Sequence, residues 1–187
     1  YDTVAAGSEV VLNGGKSWYS SSIGAPNGDG VFVVKGSLSF GAFDTLRGLQ
    51  SFILDEGAEL KTKNPFGVDT MGSIQVKGPV TFHENCSYEF NGAAPQVTGM
   101  LFPAVVNNLT INNSAGVALS QSVTVNGTLQ LSAGVFDNSV PFILGPAGQI
   151  VYGSGSLLIP LSVELMKDSP VPNSFFVDQN YPNPFNP

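Results

Sequence analysis

The chain has 187 residues, enough for one packed domain, or one domain and a tail. Only 11% of residues are charged and the formal net charge is −7, so no basic stripe exists to bind nucleic-acid phosphates or anionic lipid. Hydrophobic residues at 42%, with 22 glycines and 13 prolines, describe a turn-rich all-β protein; no apolar run is long enough for a membrane span, and a single cysteine permits no internal disulfide.

Tyr1 in place of an initiator methionine is what a processed or excised chain would show. Residues 1–30 are irregular: Val4 to Leu12 reads as a strand pair and Ser20 to Gly30 as a polar loop. Asn27-Gly-Asp-Gly30 offers calcium-type oxygens without the alternating acidic ligands of a full loop, and reads as a turn. Trp18 and Tyr19 suit either a sugar-stacking platform or a cap over the first coil.

From residue 31 short alternating runs replace any helical period. Four share a pattern centred on glycine: Phe32 to Phe40 on Gly36, Ile74 to Phe82 on Gly78, Val123 to Leu131 on Gly127, and Val151 to Ile159 on Gly155. Apolar residues stand four before, two after and four after each glycine, which describes two strands joined at a corner. Phe52 to Leu60, centred on Gly57, reads as a degenerate fifth copy. Ordinary antiparallel hairpins would also satisfy each run singly. Glycine spacings of 42, 49 and 28 residues exclude a strict repeat but suit a solenoid of unequal coils, about 20 to 25 residues each.

The carboxylates Asp44, Asp55, Glu56, Glu59 and Asp69 are the candidates for glycosidase-type chemistry, but Asp55-Glu56-Gly57 reads more simply as a polar corner and Arg47 is the one arginine. His83, Glu84, Cys86 and Glu89 cluster in HENCSYE; successive residues of a strand would point to opposite faces, so a surface strand is expected rather than a metal or thiol site.

Tyr88 to Gly99, Val106 to Leu119 and Val123 to Gly134 resemble repeats of large secreted surface proteins of Bacteroidota, with segments similar to "NLTIN…GVTL…VTVNGTLTL". The resemblance covers about a quarter of the chain and implies export and β-helical stacking. It also brings in the Asp-Ser/Thr-hydrophobic pattern of O-glycosylation in exported proteins of that group, matched around Thr3, Thr45 and Thr70. After Val163 the composition changes, and Lys167 to Ser174 is a proline-containing linker. Val171 to Pro187 resembles the opening of the carboxyl-terminal sorting domain of the type IX secretion system. All nine residues Gln179, Asn180, Tyr181, Pro182, Asn183, Pro184, Phe185, Asn186 and Pro187 match its QNYPNPFNP motif. Family sorting domains continue well beyond that point, so this stretch is expected to be an opening segment.

The expectation is an all-β, β-solenoid (β-helix-like) domain over residues 1–165, a linker over 166–174 and the start of a sorting domain over 175–187; a β-sandwich is the alternative. No catalytic residue, metal or cofactor is assigned. The expected function is a secreted, non-enzymatic structural protein of the cell surface, self-associating head to tail into a filament or sheath and exported by type IX secretion machinery. Its alternatives are an adhesin or polysaccharide-binding module, favoured if Trp18, Tyr19, Tyr88 and Tyr152 share an exposed face, and a non-catalytic fragment of a polysaccharide-degrading enzyme.

Overall fold

The computed structural model describes residues 2–4, 9–12, 17–19, 31–48 and 51–161, with side chains over 31–47 and 51–161. Every regular element among them is a β-strand and every pairing is parallel. The described residues wind as a β-solenoid of seven rungs, each with a leading, a front and a trailing strand. The first rung is β1 (Asp2–Val4), β2 (Glu9–Leu12) and β3 (Ser17–Tyr19); the second is β4 (Val31–Val34), β5 (Ser37–Phe40) and β6 (Thr45–Gly48). The third is β7 (Ser51–Leu54), β8 (Glu59–Thr62) and β9 (Ile74–Val76); the fourth is β10 (Val80–Phe82), β11 (Ser87–Phe90) and β12 (Gln96–Val97). The fifth is β13 (Val105–Val106), β14 (Asn108–Asn112) and β15 (Val117–Ala118). The sixth is β16 (Val123–Val125), β17 (Thr128–Ala133) and β18 (Val135–Asp137). The seventh is β19 (Phe142–Leu144), β20 (Gln149–Tyr152) and β21 (Ser156–Leu157).

The front strands form one unbroken sheet, β2-β5-β8-β11-β14-β17-β20. The leading face is interrupted between β10 and β13, and the trailing face between β9 and β12. Front-sheet register gives the rung lengths: Glu9 pairs with Ser37, 28 residues on, Ser37 with Glu59 after 22, Glu59 with Ser87 after 28, and Ser87 with Asn108 after 21. Leu109 then pairs with Leu129 after 20, and Thr128 with Gln149 after 21.

The surplus in the third rung lies in residues 63–73, which pack against the start of the next trailing strand: Val97 N donates to Pro65 O at 2.9 Å and Val68 N to Thr98 O at 2.9 Å. This crossing needs glycine on both sides. Gly67 has φ +62° and a Cβ there would lie 2.1 Å from Val97 O; Gly99 has φ +91° and its Cβ would lie 2.3 Å from Val68 O. The inserted segment thus displaces the trailing strand and divides that face in two.

Alternation builds the core. On the front sheet the inward rows are Leu38, Leu60, Tyr88, Leu109, Leu129, Ile150 and Phe40, Thr62, Phe90, Ile111, Leu131, Tyr152. An aromatic chain crosses rungs two to four: Phe32 stacks on Phe52 (6.1 Å), Phe52 meets Phe82 (5.9 Å), Phe82 meets Tyr88 (6.1 Å) and Tyr88 meets Phe102 (5.0 Å). Each edge-to-face contact adds about 0.5–1.5 kcal/mol to the area it buries.

The four glycine corners expected to be equivalent are not. Gly36 and Gly127 do share the ridge that leads into the front sheet, but Gly78 turns a trailing strand into a leading one and Gly155 lies between β20 and β21. The residues just before the front strands are Gly36, Ala58, Cys86, Asn107, Gly127 and Gly148, linked by Glu59 N to Gly36 O, Ser87 N to Ala58 O, Asn107 N to Cys86 O and Gly127 N to Asn107 O at 2.7–3.0 Å. In the degenerate copy Ala58, not Gly57, occupies the ridge. Any corner between two inward-alternating strands yields the same apolar offsets, so the pattern detects corners without saying which.

Candidate functional site

Where the chain leaves the front sheet, inward parity continues into amides instead of hydrocarbons. Gln96 Nε2 donates to Thr62 O (3.0 Å) and Asn64 O (2.9 Å), while its Oε1 accepts from Gly92 N (2.7 Å) and Asn113 Nδ2 (2.8 Å). Asn113 Nδ2 also reaches Ala94 O (2.8 Å), and its Oδ1 accepts from Ala115 N (2.9 Å). Gln96 and Asn113 are both buried, and these bonds satisfy the side-chain amides and fix the bend into the trailing face. The sequence reading missed this stack. Its one visible signal is that Asn64 and Asn113 each stand two residues beyond an inward strand residue, Thr62 and Ile111.

A groove of about 260 Å³ on the trailing face is lined by Pro95, Gly116, Ala118, Val135, Asp137 and Leu158. Ala118 on β15 and Gly116 just before it are small, which leaves room for the depression. The Ser139 hydroxyl (2.6 Å) and then its amide (2.9 Å) hold the exposed Asp137 carboxyl below the usual carboxylate range.

The seventh rung is the other distinctive surface. Among the described residues β19, β20 and β21 are hydrogen-bonded on one side only. Tyr152 continues a row in which Phe90, Ile111 and Leu131 are buried, yet it is 58% exposed. Leu158, Ile159 and Leu161 are about half exposed beside it, and Val151 stands on the outer side at 39%. Asn138, one rung back, holds the end in place by donating to Ile159 O (2.9 Å) and accepting from Ile159 N (2.8 Å). Among the described residues the core is therefore open here: its rows run out in apolar side chains and unpaired strand edges.

The residues singled out in the sequence are dispersed. His83 and Glu84 lie in the turn between β10 and β11 and not on a surface strand; His83 Nδ1 accepts from Asn85 N at 3.2 Å. Cys86 is buried on the ridge, its thiol directed at Leu54 O (3.4 Å) and Asp55 O (3.0 Å), and burial pushes the thiol pKa up to about 11. Glu89 and Glu59 flank Lys61 on the outer front sheet, at 3.9 and 3.2 Å. Asp55 pairs with Lys35 at 3.6 Å and Glu56 accepts from Asn85 Nδ2 at 3.0 Å, both at a corner.

Asp44 is buried and accepts from Gly41 N (2.8 Å). Asp69 clamps the inserted segment by accepting from Met71 N (2.9 Å) and Met100 N (2.8 Å); burial raises its pKa, but these amides and Thr70 outweigh burial and leave it lowered. Arg47 lies exposed on β6. No cluster of three or more His, Cys, Asp or Glu side chains able to hold a metal ion occurs among the described residues.

Tyr88 is a core residue, so it cannot share an exposed aromatic face with Tyr152. Trp18 and Tyr19 lie on β3, where the backbone pairs Trp18 with Leu46. Thr70 is exposed, whereas Thr45 is buried with Asp44 and leaves no room for a glycan on the folded chain; Thr3 pairs with Val33 in β1. The Asn27–Gly30 turn, the linker and Gln179 to Pro187 lie outside the described residues. No family model, curated protein or solved structure matches the chain.

Proposed function

We propose that this chain is a secreted, non-enzymatic structural protein of the cell surface that self-associates through the ends of its solenoid. The seventh rung, open among the described residues, carries this reading: a parallel stack grows by adding another rung, and an apolar edge with strands unpaired there favours such addition. Contact between unlike ends does not close on itself, so it produces a linear filament. The resemblance of Gln179 to Pro187 to a sorting motif supports export by type IX machinery and a site of action outside the cell. The candidate carboxylates are engaged at separate places, by Lys35, Asn85, Lys61 and backbone amides, which favours a structural role over a hydrolytic one.

Sedimentation velocity over a hundredfold concentration range, with negative-stain microscopy of the same samples, tests assembly. Species that lengthen with concentration are expected; a monomer throughout refutes it. Protease shaving of intact producing cells tests the location, and protection of the protein refutes a surface site. A second reading, a ligand-binding or adhesive module, rests on the trailing-face groove. It predicts glycan or small-ligand binding that Ala118→Leu abolishes by filling the groove.

A further inference from the structure

The front-sheet register shows how one copy would meet the next. The outer middle row of that sheet runs Val11, Ser39, Lys61, Glu89, Thr110, Gln130, Val151. The five interior strands place a polar residue there, as an outer surface in water requires. The two terminal strands alone place valine. Moreover, Val10 and Leu12 of β2 occupy the register positions of the buried Leu38 and Phe40, and Ile150 and Tyr152 of β20 occupy those of Leu129 and Leu131.

From this we propose, on the assembly reading above, that β2 of one copy adds in parallel to the open edge of β20 of another. Glu9 then stands opposite Gln149, Val10 opposite Ile150, Val11 opposite Val151 and Leu12 opposite Tyr152. This register continues both inward rows across the junction and buries the two outer valines against each other. It sets no like charges side by side, because Glu9 meets the neutral Gln149. A slip of one residue would move Val11 to an inward row and expose its neighbours, so the period of two selects this register over its nearest competitors. The partner is therefore a second copy of this chain, and the sheet runs β17-β20-β2-β5 through the contact as it does within a copy.

A charge-swap series on the full chain tests the register. Val11→Glu and Val151→Lys each place a charge in the junction and are expected to raise the concentration for assembly about tenfold. The double variant Val11→Glu/Val151→Lys, or a mixture of the two single variants, brings Glu opposite Lys and restores assembly. Val11→Glu/Val151→Glu sets like charges together and assembles worst. Both substituted positions lie on the outer middle row of a terminal strand, and circular dichroism with thermal melting checks that the fold persists. If the wild type forms filaments that every variant also forms unchanged, the register is wrong while assembly stands. A wild type that stays monomeric overturns both.

Discussion

Tyr88 is a large fully buried side chain, and its hydroxyl has no hydrogen-bond partner. It sits in a row of leucines, with Phe82 at 6.1 Å and Phe102 at 5.0 Å packed edge-on to its ring. A hydroxyl taken from water without a replacement bond costs about 1–3 kcal/mol on mutational scales. Tyr88→Phe keeps the ring and both aromatic contacts and removes only that penalty, so it is expected to stabilise the chain by about 1 kcal/mol. For a chain of this size that is a rise of roughly 2–4 °C in Tm. Tyr88→Ala removes the ring and opens a cavity, at a cost of about 3–5 kcal/mol. Urea unfolding of wild type and both variants reads the differences, with equal m-values required for comparison. Loss of 1 kcal/mol or more in Tyr88→Phe would refute the reasoning, since the hydroxyl would then be bonded in the folded chain.

Burial pushes both Cys86, to about 11, and Tyr88 upward. A folded pKa raised above the unfolded one contributes stability that is whole below the unfolded value and is lost as pH rises toward the folded one. For Cys86 that window runs from about 9 to about 11, and for Tyr88 it opens near pH 10, so alkaline titration followed by circular dichroism should show stability falling from pH 9 upward. Cys86→Ala should flatten the first part of that fall. In native buffer at pH 8 the thiol should react with Ellman's reagent far more slowly than after unfolding; equal rates would contradict its burial. Gly67→Ala forces a Cβ to within 2.1 Å of a carbonyl at a positive φ and should cost about 3 kcal/mol or more in urea unfolding. Gln96→Ala leaves the Gly92 amide and the Thr62 and Asn64 carbonyls without their partner, for an expected loss of about 2–4 kcal/mol, whereas a loss below 1 kcal/mol would show the stack to be dispensable.

The fold class was legible because alternation survives winding. Leu38 and Phe40 or Leu129 and Leu131 read as inward pairs whatever partner strand lies beside them. Pairing between rungs was not legible, because a residue 20 or 28 places away completes the row and nothing local records which. That is why Gly78 and Gly155 were aligned with Gly36 although they turn other corners. Cys86 misled for a related reason. It was read with His83 and Glu84 as part of a surface strand, whereas it is buried at the corner before β11, in line with Ala58 and Gly127. Tyr88 shows the limit of reading aromatics as surface platforms: its parity with Phe90 already placed it inward. Thr45 shows the limit of a three-residue glycan motif, which carries no information on burial.

The same one-dimensional architecture explains why exposed apolar side chains gather at the seventh rung. An interior rung contacts a neighbour above and below, so each inward row is covered twice; among the described residues the seventh rung is covered once, and Tyr152 is left half in water although Phe90, Ile111 and Leu131 in its row are buried. Burying apolar surface is worth roughly 25 cal/mol per Å², and the exposed Val151, Tyr152, Leu158, Ile159 and Leu161 hold much of what the last rung still has to bury. The outer front sheet, by contrast, is already satisfied: Ser37 donates to Glu59, Asn108 to Ser87 and Gln149 to Thr128, so a ladder of side-chain bonds runs along it. A surface whose polar groups bond one another offers a partner little. An edge that lacks its next rung offers both hydrogen bonds and hydrocarbon, and a strand of the same alternation, entering in parallel, supplies both.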